Sequence, residues 1–576
     1  MGQNKDEYSR KNEFMLPIEY LQNKESLSDD IKSDLELVNN NKEGVDAKCL
    51  YEYVFDGESI FGREMKIRWG NYYTTDINFL EESQELYKNM YDITKYSVDE
   101  NKIINILGTL ENTEDFEDKY NYIKDVYFCD QMNRNESMMM WYSCFLVMSP
   151  VITLCLPIII MILPFILIKT QGFKISIKEY FKLLIVLLKK VPLGKIFEVD
   201  WTNASSIMYG IVSVCIYIFQ LYQSFSMCLS FKRNIVDSYE MLYTIREYFK
   251  TSVRRMESFV VLSNGLGSYA NFNADLMIRI NQLKNHINYL EDLPTSKYTI
   301  PKKVGKIRCS IYELFKDDSC KGVLRYVNDF NGYLDNICSI QRKMGGKLLA
   351  KARYKCNFSN MTGMYYPAIV GDKILNDVKI NNNKIITGVN ASGKTTLLKT
   401  VLFNIILSQQ IGCGFYKRGK IAVYDKIHCY LNIPDTNGRD SLFQAEARRC
   451  KNIIESVEED IGKKHLCVFD ELYSGTNPYE ASAAGYAYIQ YMSRYKNVRL
   501  IITTHYLDMC DSLLKTKDKS ITNYHMGAYY DERGKIVYTY KKKNGITKIK
   551  GGVEVLKNLN YPKTIVEEAS KLIGGV

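Results

Sequence analysis

The sequence predicts an α/β domain at the C-terminus, preceded by an all-α region that a transmembrane helical hairpin interrupts. Three observations carry that prediction. Short apolar runs ending in polar residues recur after residue 350, at 384–387, 465–470 and 498–504, as buried strands do. Residues 138–168 and 204–231 form stretches of 31 and 28 residues without a charge, each longer than the roughly 20 that cross a bilayer core. Helical runs at 237–259, 274–293 and 322–349 fill the middle of the chain.

Length and composition agree with several units. At roughly 150 residues per domain, 576 residues suggest three or four. With 46% hydrophobic and 25% charged residues the chain is neither a disordered tail nor a small stapled scaffold. The net charge of +10 is unevenly spread: residues 1–140 carry −14, residues 141–350 carry +11 and residues 351–576 carry +13. An acidic head on a basic body points to separate units, and to either an anionic partner or a solvated surface for the basic part. The 15 cysteines contain no CxxC pair, which fits buried thiols in a reducing compartment and excludes a zinc ribbon. The five histidines form no HExxH.

In chain order, residues 1–47 are rich in Asn, Lys, Asp, Glu and Ser and read as a flexible lead-in without a signal peptide. Asp6 breaks the myristoylation pattern that Gly2 opens. Residues 48–137 begin the helical region. The membrane hairpin then occupies 138–231, with Pro150, Pro157 and Pro164 on one side of its first helix, where they predict kinks or a re-entrant segment. Its loop, 169–203, has seven Lys against three acids, and 176–190 (SIKEYFKLLIVLLKK) reads as an interfacial helix with a basic face. Two crossings leave both chain ends on one side, and the C-terminal part then faces the cytosol. That puts the Lys-rich loop on the far side, against the positive-inside tendency, unless both segments are re-entrant. Residues 232–350 continue the helices, and 351–576 form the α/β domain.

That last domain carries the strongest local signal. In 384–396, KIITGVNASGKTT, a strand leads into Gly388, Asn390, Ser392, Gly393, Lys394, Thr395 and Thr396. The spacing GxxxxGK[ST] lets backbone N–H groups turn toward phosphate at a helix N-terminus, with Lys394 on the terminal phosphates and Thr395 on Mg²⁺. HLCVFDEL, 465–472, ends a second strand in Asp470, a ligand for the Mg²⁺ shell, and Glu471, a base for the attacking water. VRLIITTHY, 498–506, brings His505 to the end of a third strand, where a neutral imidazole can meet the γ-phosphate or the water. The fold class is therefore an α/β P-loop NTPase, with ATP and Mg²⁺ as cofactors and Lys394, Glu471 and His505 as catalytic candidates.

These motifs, with FQAE (443–446), DELYSGTNPYE (470–480), THY (504–506) and NYHM (523–526), resemble the ABC-type C-terminal ATPase domain of the MutS family. The resemblance implies that Asp470 and Glu471 are the Walker B pair and that His505 is the switch histidine. It implies further that Ser441 reaches the γ-phosphate of the opposite subunit, that Gly475-Thr476-Asn477 form the D-loop at a dimer interface, and that His525 packs near the adenine. On the other adenine face the family usually has an aromatic, where this chain has Lys373 or Ile374. Residues 545–572 look like the family's terminal helical dimerisation element. More weakly, 59–86 resembles the start of the family's lever (core) domain. Full mismatch sensors carry a reading domain and a connector ahead of the lever, and fewer than 60 residues precede it here. The Phe79-x-Glu81 triplet lies within the lever-like segment and reads as part of a helix, not as a base-stacking wedge.

Two readings of function follow. One is an integral-membrane MutS-like ATPase, homodimeric through its ATPase domain, with no small-molecule substrate beyond ATP. In it the basic clusters (Lys302, Lys303, Lys306 and Arg308; Lys541 to Lys543; Lys548 and Lys550) hold double-stranded DNA non-specifically, or else form a solvated face. The other is a membrane-remodelling or scaffold ATPase that binds no nucleic acid. A transporter is the weakest fit, because two apolar segments make no usual translocation path.

Overall fold

The computed structural model describes residues 13–39, 48–57, 59–90, 99–111, 116–124, 128–172, 176–188, 204–294, 296–369, 371–431, 441–515, 520–532, 535–547, 549 and 551–574. Two compact units divide the chain: one comprises 98–254 and 279–324, the other 13–97, 255–278 and 325–576.

The second unit is built on sheets. A small pair, β1 (Lys24–Ser26) and β2 (Tyr72–Thr74), is antiparallel. From residue 350 the strands are β3 (Ala350–Arg353), β4 (Ser359–Met364), β5 (Asn376–Ile380), β6 (Asn383–Thr387), β7 (Cys413–Gly414), β8 (Arg418–Lys420), β9 (Lys426–Tyr430), β10 (His465–Asp470), β11 (Val498–Thr504), β12 (Ile521–Tyr530) and β13 (Ile536–Asn544). Among the described residues, six of these form a sheet in the order β13-β12-β6-β11-β10-β9, parallel except for the edge strand β13. Five others form a sheet in the order β5-β4-β8-β3-β7. The central strands are buried on both faces, which is why β6, β10 and β11 read as nearly unbroken apolar runs (IIT, LCVF, LIIT). The order β6-β11-β10 sets the three motif-bearing strand ends side by side, where ligands of open parallel sheets bind.

Residues 13–39 differ from the flexible lead-in expected of them. Phe14, Leu16, Leu35 and Leu37 have no exposed surface, and the helix Asp29–Asp34 is capped by Ser28. Its buried Asp34 carboxylate accepts hydrogen bonds from Leu431 N (3.0 Å) and Arg449 Nη2 (2.9 Å). Polar composition concealed this, because the anchoring groups are spaced by tertiary partners and not by a period.

Residues 48–90, expected to start the lever, also belong to the sheet-bearing unit. They pack on the helix Lys394–Ile411 through buried glutamines. Gln409 Nε2 donates to Thr74 O (3.1 Å), Gln410 Nε2 to Trp69 O (2.7 Å) and Tyr72 O (2.9 Å), and Gln84 Nε2 to Gly412 O (2.7 Å). Each bond satisfies a buried carbonyl that is costly to leave bare. Phe79 is 2% exposed and stacks on Tyr269 at 5.4 Å, so it is a core side chain.

The other unit is helical. The helix Glu136–Thr170 runs without a break through Pro150, Pro157 and Pro164. The second apolar stretch is the front of a 60-residue helix, Ala204–Ser263, which continues directly into charged sequence. The two helices touch through Thr153 Oγ1 and Ser224 Oγ (3.0 Å), while Tyr217 Oη donates to Leu154 O (3.2 Å). Large apolar side chains point outward along both, Leu154 at 59% and Ile218 at 58% exposure for example. Both are long and apolar enough to cross a membrane by length and composition. The interfacial helix expected at 176–190 is helical over Ile177–Leu188; the rest of the basic loop, 189–203, lies outside the described residues.

Of the cluster Lys302, Lys303, Lys306 and Arg308, expected as an open cationic surface for DNA or a solvated face, Lys302 is exposed and Lys303 half-buried, but the other two are covered. Lys306 is 8% and Arg308 2% exposed, because the helix Val304–Lys316 packs closely on Glu136–Thr170. A Cβ on Gly305 would stand 2.2 Å from Glu136 O, so only glycine permits that approach.

Candidate nucleotide site

The loop 388–393 joins β6 to the helix Lys394–Ile411. Gly393 has φ +91°, a left-handed value that suits glycine and aims the following N–H groups inward at the helix start. Ser392 is fully buried, and its Oγ has no hydrogen-bond partner among the described residues.

Lys394 is 5% exposed and its ammonium donates to Gly388 O (3.1 Å). His505 Nε2 lies 3.0 Å from that ammonium and 2.7 Å from Glu471 Oε1. With a hydrogen on Nε2 the imidazole donates to Glu471; without one it accepts from Lys394. Glu471 Oε1 is also 3.5 Å from Lys394 Nζ, so three of the motif residues form one cluster. Burial pulls the Lys394 ammonium below the usual lysine range, against the opposing pull of Glu471 and Asp470. The hydrogen bond with His505 holds the Glu471 carboxyl below its usual range, with smaller support from Lys394. Glu471 sits at φ +54°, a costly value for a side chain of this size, fixed by its N–H donating to Thr503 O (3.2 Å).

Beside this cluster Thr395 Oγ1 donates to Asp470 Oδ2 at 2.5 Å, and Thr503 Oγ1 donates to Asp470 Oδ1. Burial raises the Asp470 carboxyl, and the two hydroxyls counter it. A hydroxyl and a carboxylate in contact are the hard oxygen donors that Mg²⁺ takes from P-loop domains, so these residues fit that ion.

The cluster opens on a cavity of about 560 Å³. Its lining includes Asn390, Thr395 and Thr396, the aromatic and apolar residues Tyr365, Tyr366 and Ile374, and Met526 and Tyr540 from β12 and β13. The tyrosines were not picked out in the sequence, because an aromatic pair in a loop after β4 carries no motif. His525, expected beside the adenine, is absent from the lining. Its Nδ1 is 3.3 Å from Gly545 O, and strand alternation presents its neighbour Met526 instead. Of the two residues expected on the other face, Ile374 lines the cavity, and the Lys373 ammonium lies 4.3 Å from the Tyr365 ring centre.

Ser441 lies outside this cavity and caps its own helix, Leu442–Glu459, in a reciprocal box with Gln444: its Oγ accepts from Gln444 N (3.3 Å) and its N–H donates to Gln444 Oε1 (3.1 Å). From that helix the Glu446 carboxylate, 2% exposed, accepts from Ser474 N (3.1 Å), Ser474 Oγ (2.7 Å) and Gly475 N (3.1 Å). The glutamate of FQAE is thus the tether between the Ser441 helix and the loop after Glu471. Glu446→Ala removes the buried acceptor of two loop N–H groups and is expected to cost about 1–3 kcal/mol in urea unfolding, the worth of hydrogen bonds to a charged group, with Glu446→Gln recovering part of it. Equal stability of all three proteins would remove the tether.

The strand order brings the glycine-rich loop, the acidic end of β10 and the end of β11 together in one α/β domain. Residues 384–575 match the family model of MutS domain V. Curated relatives include the DNA mismatch repair proteins MutS of Persephonella marina, 29% identical over 216 residues (36% of this chain, 24% of the relative), and of Listeria welshimeri, 28% over 205 residues (35% and 23%). That of Leuconostoc citreum is 25% identical over 207 residues (35% and 23%). The chain spans about a quarter of the length of these relatives. The matches support the MutS family for the C-terminal third of the chain.

Proposed function

We propose that the chain is a membrane-anchored MutS-like ATPase of ABC type, hydrolysing ATP with Mg²⁺ in a site that a second copy completes. The observation that carries this reading is the convergence of Lys394, Glu471 and His505 at adjoining strand ends, with Thr395 and Asp470 in contact beside them. Mg²⁺, held by Thr395 and Asp470, would supply neutralisation of phosphate charge. Lys394 exchanges its carboxylate partner for the terminal phosphates. Glu471 accepts the proton of the water whose oxygen bonds to the γ-phosphorus as the bond to the bridging oxygen breaks, and His505 orients that carboxylate. The tyrosine-lined walls take the base.

Ser441, exposed at a helix start, serves the partner's site in this reading. The terminal helices Gly552–Asn558 and Lys563–Gly574 support a dimer, because Ile565 and Leu572, and Leu559 and Tyr561 between the helices, are exposed apolar residues that a second copy can cover. The outward apolar faces of Glu136–Thr170 and Ala204–Ser263 support the membrane anchor, with the ATPase domain on the cytosolic side. Purified protein is expected to show Mg²⁺-dependent ATP hydrolysis; none above background would remove the reading.

The relatives are named for DNA mismatch repair, and non-specific contact with double-stranded DNA belongs to the proposal. Lys541 and Lys543 are exposed on β13, while Lys548 and Lys550 lie outside the described residues. Full-length protein in detergent is expected to retain duplex DNA at about 50 mM salt and release it as salt rises. No retention at that salt would favour the remodelling or scaffold ATPase.

A further inference from the structure

The foot of the apolar helix pair holds a cationic cavity that nucleotide chemistry does not use. It measures about 500 Å³, and its lining includes Lys302, Lys303 and Lys306 on one side and Glu136, Met140 and Trp141 on the other. We propose that this cavity binds the phosphate headgroup of an anionic phospholipid, with Lys302 and Lys303 on the phosphate and Trp141 at the glycerol level. The proposal rests on the membrane reading above.

The charges are arranged for an anion. Lys306 is committed: its ammonium is 3.2 Å from Glu136 Oε1 and 3.8 Å from the centre of the Tyr289 ring. Lys302 is exposed and has no ion pair among the described residues. Lys303 reaches Asp292 at 3.2 Å, but both side chains are largely in water, and such pairs exchange readily for a better partner. Arg308, on the same helix as Lys306, is 2% exposed. Its guanidinium donates to Ser143 Oγ (3.1 Å) and Asn121 O and lies 5.1 to 5.4 Å from the ring centres of Tyr122, Tyr142 and Phe231. Among the described residues no carboxylate pairs with it. A buried cation without a counter-charge leaves a positive field that an anion at the cavity lowers.

The height of the cavity selects a lipid. Arg308 touches Tyr142 and Ser143 near the start of one uncharged stretch and Phe231 at the end of the other, so these positions share one level. Trp141, 79% exposed, and Phe145, 57% exposed, face outward there, and Lys232 and Arg233 are exposed immediately after Phe231. An outward indole beside cations at the end of an apolar span is the composition of a headgroup layer. A soluble phosphate would leave that apolar rim in water.

The test uses full-length protein in nanodiscs of phosphatidylcholine with a minority of phosphatidylglycerol, and counts retained lipids by native mass spectrometry. Wild type is expected to retain phosphatidylglycerol selectively. Lys302→Gln and Lys303→Gln are each expected to lower that selectivity by about fivefold, whereas Lys451→Gln, on an exposed helix face elsewhere, leaves it unchanged. Undiminished selectivity in the double variant overturns the proposal, as does displacement of the lipid by glycerol phosphate, which would mark a soluble-anion site. Alkaline carbonate extraction separates the two readings: a chain released by carbonate ends the membrane reading itself, whereas loss of selectivity alone leaves carbonate resistance intact.

Discussion

Glu471→Gln is expected to lower ATP turnover of the full-length protein by about 10²- to 10⁴-fold, the range that a positioned base contributes, while nucleotide affinity stays near wild type. The amide keeps the shape and still accepts a hydrogen bond from His505, but it takes no proton from water. Glu471 is suited to that step because His505 Nε2 at 2.7 Å and Lys394 Nζ at 3.5 Å hold its carboxyl below the usual range, so it is ionised throughout neutral pH. The sign follows: a base with a depressed pKa loses activity only as pH falls through that lowered value, so the acid limb from this residue lies below the ordinary glutamate value of 4.5. Single-turnover and steady-state hydrolysis across pH check both parts. Undiminished turnover in the amide variant would take Glu471 out of the chemistry.

Lys394→Ala is expected to weaken ATP binding by at least about 100-fold, since hydrogen bonds to charged groups are each worth about 1.5–3 kcal/mol. The ammonium is preorganised by Gly388 O and is nearly out of contact with water, so its attraction for phosphate is little screened. Burial also lowers its pKa, so phosphate affinity should fall as pH rises through a value below the ordinary 10.5 of lysine. Fluorescent-nucleotide titration, with circular dichroism to verify folding, reads the effect. Unchanged affinity in a folded variant would move the phosphate site away from this loop.

The two variants probe different parts of one cluster, and the sequence revealed those parts unequally. Lys394, Thr395, Asp470 and Glu471 were legible because their chemistry depends on local order: a glycine-rich loop opens a helix, and a carboxylate pair follows a buried strand. His505 was legible for the same reason, as the polar residue that ends β11. The walls of the cavity were not. The adjacent Tyr365 and Tyr366, just after β4, and Tyr540, on β13, come from two places in the chain some 175 positions apart and meet only in the cavity lining. The choice between His525 and Met526 turned on which face of β12 meets the cavity, and a one-residue difference in a strand reverses the face.

The same distinction applies at larger scale. Residues 13–39 looked like solvated sequence, yet the leucines around Asp34 are buried and Asp34 itself is bonded to partners some 400 positions away. Lys306 and Arg308 looked like open cationic surface and are covered, one by a carboxylate and a ring, the other by three rings. Charge counts report composition, whereas burial depends on what another helix brings.

By itself, then, the sequence determined the glycine-rich loop between β6 and its helix, the acidic end of β10, the histidine after β11 and two uncharged stretches of spanning length, all features whose signal lies within a few turns of chain. Only the tertiary structure decided which aromatics line the cavity, that Glu446 ties the Ser441 helix to the loop after Glu471, and that residues 13–39 belong with the sheet-bearing unit. Those outcomes depend on hydrogen bonds and close packing between residues far apart in the chain, for which neither periodicity nor spacing leaves a trace.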